Sequence, residues 1–380
     1  MGKTVERREL LTDLDALGAF DFLPGEDLTA VAEKYPFCVS RHFLQSIRFP
    51  GDPLWLQVAP DIRELRDADG LEDPLAEEEL SPVPNLVHRY ADRVLWLVSH
   101  RCAVHCRFCT RKRRWTKPLP MTDEMLRAGY DYLQQHREIK DVLLSGGDPL
   151  LLSDARLESI LRTLRKISHV EIIRIGTRIP GVFPQRVTHR LVRMLARYHP
   201  LYVNIHFNHP REITPECRHA CRLLADAGIP LASQTVLLKG VNDDSEVLAD
   251  LFRKLLAMRV RPYYLLQMDL TRSTAHFRTP ISTGLRIIAA LKNRISGLGI
   301  PQFVVDLPGG RGKVPLLPSH VEEIQAGQLI FKGYAGRRSV YPLLPGEEQE
   351  LAGWLHDRVA LRRPTDIHCS PEPPEDHSES

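Results

Sequence analysis

"RVLWLVSHRCAVHCRFC", residues 93–109, decides the fold. A seven-residue apolar run, 93–99, has the length and the Val/Leu content of a buried strand, and it runs directly into Cys102, Cys106 and Cys109. Further runs of the same kind follow at 141–147, 171–178, 201–207, 230–238 and 261–269, with another at 301–310. Helical stretches such as "DEMLRAGYDYLQQH" and "DSEVLADLFRKLLAM" separate them. Strands alternating with helices at a spacing of roughly 30 residues mean βαβ units and a parallel sheet. Six units fall short of the eight of a closed barrel, so an open or partial barrel with an extra strand at 301–306 is expected. In such folds the chemistry sits on loops after the C-terminal strand ends, which is where the three cysteines fall.

The rest of the chain bounds the reading. Of 380 residues, 43% are hydrophobic and 26% charged, enough for a full core. The net charge of 51 − 48 = +3 argues for no nucleic-acid partner. No run of eighteen uncharged apolar residues occurs, so no membrane helix is expected. The charged N-terminus lacks a signal-peptide core, and cysteines at 38, 102, 106, 109, 217, 221 and 369 are odd in number, which favours free thiols and a cytoplasmic protein. Residues 1–88 read as an N-terminal helical region, with "TVERRELLTDLDAL" and "DLTAVAEKY" as its helices. Residues 89–318 read as the barrel and 319–380 as a short C-terminal extension, whose last dozen residues, proline-rich and polar, are expected to be disordered. Cys217 and Cys221 share a helix face in "ECRHACRLL", where burial is their expected role.

Three clustered thiols are one short of a closed zinc or iron–sulfur site. A 4Fe–4S cluster held by three thiolates leaves one iron open to a ligand. A zinc site completed by His100 or His105, or three metal-free structural cysteines, stays open on spacing alone. The surrounding Arg101, Arg107, Arg111, Lys112, Arg113 and Arg114 suit a solvated face, an anion site or, with Trp115, a nucleic-acid contact. In "LLSGGDPLL", 143–151, Gly146 and Gly147 allow close backbone approach at a strand end. "PGGRGK", 308–313, sets a lysine on a glycine loop; Leu307 and Val314 break the Walker pattern, while a Schiff-base lysine fits.

C-x3-C-x2-C after the first strand of a partial barrel resembles the radical S-adenosylmethionine superfamily. Phe108 fits the aromatic that lies near adenine there. "SGGDPLL" is similar to the segment that meets the methionine group, which gives Gly146, Gly147 and Asp148 as S-adenosylmethionine contacts. The order of "VHRYADRVLWLV", "CTRKRR", "VNIHFNHPREIT", "LLKGVND", "HFRTPIS" and "FVVDLPGGRGKVPLLP" further resembles the lysine 2,3-aminomutase family.

That resemblance implies a partial (β/α)6 radical S-adenosylmethionine barrel carrying a 4Fe–4S cluster on Cys102, Cys106 and Cys109, S-adenosylmethionine, and pyridoxal 5′-phosphate. Lys313 would form the aldimine and Arg89 and Arg93 would contact pyridoxal phosphate. Arg111 would bind the substrate carboxylate, and Asp269 and Asp306 the ε-ammonium of lysine. His206 and Gln234 would line the site. The activity implied is an isomerase moving the 2-amino group of L-lysine to C3 through a 5′-deoxyadenosyl radical, giving β-lysine. A β-lysine-forming enzyme for elongation factor P, or a mutase of arginine or another amino acid, are the alternatives. A reduced flavodoxin or ferredoxin-type donor and a homo-oligomer are implied as partners, with neither nucleic acid nor membrane. Asp244 stands after "GVND" where long-chain members carry a zinc-binding cysteine, so that zinc site is not expected.

Overall fold

The computed structural model describes residues 9–20, 26–67, 69–317, 320–325, 327–332, 338–349 and 351. Two compact units divide the chain, Met1–Pro318 and Ser319–Ser380.

Nine strands form the main sheet of the first unit: β1 Leu86–Tyr90, β2 Arg93–Ser99, β3 Asp141–Gly146, β4 Ile172–Thr177, β5 Leu201–His206, β6 Leu231–Leu237, β7 Val260–Gln267, β8 Gln302–Leu307 and β9 Gly312–Pro315. They lie in sequence order across the sheet. From β2 to β8 all neighbours are parallel, while β1 and β9 pair antiparallel at the two edges. Six helices return the chain between the parallel strands: α1 Asp123–Gln135, α2 Asp154–Leu164, α3 His189–Leu195, α4 Pro215–Asp226, α5 Ser245–Ala257 and α6 Ile281–Leu291. This is the expected six βα units plus an extra strand. The sheet curls until its edges nearly meet: the Lys313 amide on β9 donates to Tyr90 Oη on β1 at 3.1 Å.

Local chemistry sets these elements. Thr122, Ser153, Thr188 and Thr214 cap α1 to α4 by accepting amides of the first turn. Asp244 does the same for α5, through Glu246 N at 2.7 Å and Val247 N at 3.2 Å, so its place after "GVND" is that of a helix cap. Strand residues alternate between the helix side and the interior. Trp96 packs so closely on α1 that a Cβ at Gly129 would lie 2.3 Å from its ring. Cys217 and Cys221 are fully buried under α4.

Three findings differ from the sequence reading. Within "TVERRELLTDLDAL", residues 4–8 lie outside the described residues. Leu10 and Leu11 pair antiparallel with Ser40 and Val39, and Leu14–Phe20 forms a 3-10 helix. Asp13, Asp15 and Gly18 are poor formers of a continuous α-helix. The two edge strands β1 and β9 are too short and too charged to stand out by periodicity. The N-terminal region is no separate body: its Leu17, Phe37, Phe43, Leu54 and Trp55 belong to the same core as the barrel.

The second unit contains three antiparallel strands, β10 Val321–Gln325, β11 Gln328–Lys332 and β12 Arg338–Pro342, in that order. The expected disorder of the final residues falls outside the described residues. No helix among the described residues is long and apolar enough to cross a membrane.

Candidate active site

The cysteines lie on the loop that leaves the C-terminal end of β2. Two glycines hold its start. Gly147 N donates to Ser99 O at 2.6 Å and Asp148 N to Arg101 O at 2.7 Å. A Cβ at Gly146, whose φ is +115°, would lie 2.1 Å from Ser99 O, and one at Gly147 would lie 2.3 Å from Arg101 O. The close approach these glycines allow is thus to the backbone that carries Cys102. The Asp148 side chain is held within the fold. Its carboxylate is occupied by Thr177 Oγ1 at 2.8 and 2.9 Å, Arg178 N at 2.8 Å and Leu150 N at 3.0 Å. Burial pushes this acid up to about 6. It ties β3 to the end of β4.

Burial pushes the Cys102 thiol well above its ordinary value, with Cys109 and Cys106 adding to it. Burial and Cys106 push Cys109 up to about 11. Thiolates crowded into one dry loop need positive charge among them, which an iron–sulfur core supplies. In a cubane each thiolate takes a different iron, whereas a closed zinc site needs a fourth ligand beside the three thiols. His105 is engaged elsewhere. Its Nδ1–H donates to Pro36 O at 2.7 Å, its ring stacks on Trp115, and burial lowers it to about 4. The donor set fits the cluster.

The basic stretch is no solvated face. Arg107 donates to Glu64 at 2.8 and 2.6 Å and Lys112 Nζ at 2.6 Å, all three side chains buried. Burial lowers Lys112 to about 8 even with Glu64 beside it, because Arg107 makes it the surplus cation. Arg111 holds Glu77 through Nε at 2.9 Å and Nη2 at 2.6 Å. Its Nη1 has a 3.4 Å contact to Gly146 O. Arg113 pairs with Asp73 at 2.9 Å. Four acids of "ELRDADGLEDPLAEEE", residues 64–79, thereby neutralise the loop. With these side chains committed, a nucleic-acid contact through them has no support.

Across the barrel mouth lies a second charged group. Gly309, Gly310 and Gly312 all have positive φ, and the turn they make sets Lys313 directly opposite Asp306. A Cβ at Gly310 would lie 2.3 Å from Leu80 Cδ1. Lys313 Nζ pairs with one Asp306 oxygen and Arg89 Nη1 with the other, the latter at 2.7 Å. Arg89 also donates to Leu75 O at 3.3 Å. Asp269, just past β7, is pushed up to about 7 by burial and by Asp306, with Lys313 and Arg89 acting the other way. Two acids thus face one lysine and one arginine, and Asp306 takes both cations. Arg93 stands at the N-terminal end of β2, away from the cysteines, half exposed and paired with Asp92 at 2.9 Å. It shares the Tyr90 ring with Arg89, their guanidinium carbons 4.8 and 5.8 Å from its centre.

His206 and Gln234 are register partners on β5 and β6. The His206 ring stacks on Phe108 at 5.5 Å, and burial, then Arg178, lowers it to about 3. Its Nε2 is buried with no partner among the described residues, as a ligand-facing atom would be. A cavity of about 40 Å³ opens beside Cys102, Cys109, Arg111 and Gly147.

Sequence reasoning missed Glu64, Glu77, Tyr90 and Arg178. The acid-rich run of 64–79 was the available signal for the first two. Arg178 follows a strand like any other residue, and nothing in its neighbours marks it.

The family model described as "Radical SAM superfamily" matches residues 96–252, and the one described as "Lysine-2,3-aminomutase" matches 288–359. L-lysine 2,3-aminomutase of Clostridium subterminale is 50% identical over 296 residues, 77% of this chain and 71% of that protein. The Fusobacterium nucleatum protein of that name is 45% identical over 320 residues, 83% of this chain and 75% of its own. Glutamate 2,3-aminomutase of Clostridioides difficile is 38% identical over 333 residues, 86% of this chain and 79% of its own.

Proposed function

From the premise that the chain belongs to the lysine 2,3-aminomutase family of the radical S-adenosylmethionine superfamily, we propose that it is the isomerase that moves the 2-amino group of L-lysine to C3. The 4Fe–4S cluster and S-adenosylmethionine come with the superfamily. Pyridoxal phosphate is part of our reading, and Lys313 is the residue that would hold it. When bound, these groups supply a carbon radical that removes hydrogen and an electron sink for the migrating nitrogen.

The protein's own residues bind, orient and exclude water. Cys102, Cys106 and Cys109 would hold the cluster, with Gly146 and Gly147 fixing their loop. Arg89 and Arg93, both close to the Tyr90 ring, would answer the phosphate. Arg111, steadied by Glu77, would take the substrate carboxylate at its Nη1 corner. Once the Lys313 amine is engaged elsewhere, Asp306 loses one of its cations. Asp269 and the Asp306 oxygen that Lys313 vacates can then receive a side-chain ammonium, with Arg89 still on the other Asp306 oxygen. Electrons would come from a reduced flavodoxin or ferredoxin-type donor.

The observation that carries the choice of lysine is the pairing of two acids, Asp269 and Asp306, at strand ends of one site, where burial first and Asp306 second push Asp269 up to about 7. A carboxylate-tipped substrate would meet repulsion there. The test is anaerobic reconstitution with iron, sulfide, pyridoxal phosphate and S-adenosylmethionine, followed by incubation with lysine, arginine and glutamate. Formation of β-lysine, well ahead of products from the other two, is expected. Faster rearrangement of glutamate or arginine overturns the substrate assignment.

A further inference from the structure

One cation beside the cysteine loop has no part in the reading above. Arg178 follows β4 and is buried, 8% exposed. Its Nη1 donates to Cys106 Sγ at 2.8 Å. Its Nη2 donates to Glu212 at 3.2 Å and to Gln57. Its guanidinium carbon lies 5.5 Å from the centre of the Phe108 ring and 5.2 Å from that of Phe43. The backbone is fixed too, since Arg178 N donates to Asp148. Glu212 is held in turn by the amides of Asn208 and His209, at 3.0 and 2.9 Å, and by Gln57 Nε2 at 3.1 Å. Among the three cysteines, Cys106 receives this side-chain cation. Cys109 accepts from the Arg111 amide, at 3.4 Å.

We propose that Arg178 sets the reduction potential of the iron–sulfur cluster through the Cys106 thiolate, with Glu212 as its counterweight. A hydrogen bond and a positive charge on a ligand sulfur withdraw electron density and favour the state with one more electron. In a dry site that charge is felt strongly. Glu212 partly cancels it, so the two residues act with opposite sign on the same couple. The electron itself comes from an external low-potential one-electron donor. Arg178 takes no part in covalent chemistry; it is a positioning and tuning residue.

The test is an anaerobic redox titration of reconstituted protein, with the reduced cluster followed by electron paramagnetic resonance and iron and sulfide measured in each sample. Arg178→Gln, with full iron, should lower the reduced fraction at fixed potential at least tenfold, which is 59 mV for one electron. Arg178→Lys should fall between it and the unaltered protein. Glu212→Gln, which keeps an acceptor oxygen, should shift the midpoint the other way. A purely structural role would leave the midpoint unchanged or move all variants in one direction, and either result overturns the proposal. If Arg178→Gln does not retain a cluster, Glu212→Gln decides alone: a rise supports the proposal, and no change or a fall overturns it.

Discussion

Arg107 grips Glu64 along one edge of its guanidinium, Nε at 2.8 Å and Nη2 at 2.6 Å, and neither side chain has any exposed surface. This pair joins the N-terminal region to the loop between Cys106 and Cys109. Lys112 closes on the same carboxylate. Glu64→Gln would leave two buried cations facing a neutral amide. Breaking a buried pair by removing one partner costs about 3–5 kcal/mol. A large drop in the thermal midpoint is therefore expected, together with loss of iron from the purified protein. The acid side follows the same logic. Burial would raise Glu64, but Arg107 and Lys112 overcome it and hold the acid below its ordinary value. Its stabilising contribution is complete above the ordinary carboxylate range and disappears as pH falls through the lowered folded value. Glu64→Gln should flatten that acid limb of a pH-dependent melting curve.

Substrate binding should move a proton. Asp269 is pushed up to about 7 by burial and Asp306, so below that pH it is largely protonated. A substrate ammonium set beside it favours the charged form and lowers that value. Lysine binding near pH 6 should therefore release up to one proton, and affinity should rise with pH until about 7 and then level off. Calorimetry in buffers of different ionisation enthalpy reads the proton directly. Asp269→Asn should abolish the release. Proton uptake, or release unaltered in Asp269→Asn, would count against this role.

Gly147→Ala tests the loop without touching a thiol. Its methyl would lie 2.3 Å from the Arg101 carbonyl, far inside contact distance, so the segment carrying Cys102 must shift. Sub-stoichiometric iron and a weak cluster absorbance are expected, with the far-ultraviolet circular dichroism of the barrel retained. Full cluster content in this variant would show that the backbone contact is dispensable.

Much of the fold was legible because the parallel strands bury a face and carry runs rich in Val, Ile and Leu, as "DVLLSGG" and "LYVNIHF" do. Edge strands are different. β9 carries Lys313 between glycine and valine, and its pairing with β8 is set by the glycine turn rather than by its own pattern. The motif cysteines, Lys313 and the two aspartates are singled out by resemblance, since each lies in a recognisable segment. Glu77 and Arg178 could not. Their positions depend on which distant segments meet, 34 residues apart for Arg111 and Glu77 and 72 for Arg178 and Cys106. The net charge of the chain hid this pairing, because the acidic run 64–79 and the basic run 107–114 have opposite signs and largely offset each other in any sum.

Arg111 and Asp306 should fail in distinguishable ways. Every amino acid presents an α-carboxylate, whereas only a cationic side chain calls on Asp306. Arg111→Lys keeps the charge but gives up the fork that Glu77 braces through Nε and Nη2. A hydrogen bond to a charged group is worth about 1.5–3 kcal/mol. At 1.4 kcal/mol per decade, KM should rise roughly 10- to 100-fold, by a similar factor for lysine and for any poorer substrate. Glu77→Gln should give a smaller rise of the same substrate-independent kind, since the amide keeps one acceptor for the guanidinium. Asp306→Asn should instead penalise lysine selectively and narrow its lead over uncharged amino acids. Steady-state kinetics with lysine and norleucine as paired substrates separates the two patterns. A lysine-selective defect in Arg111→Lys would place that guanidinium at the wrong end of the substrate.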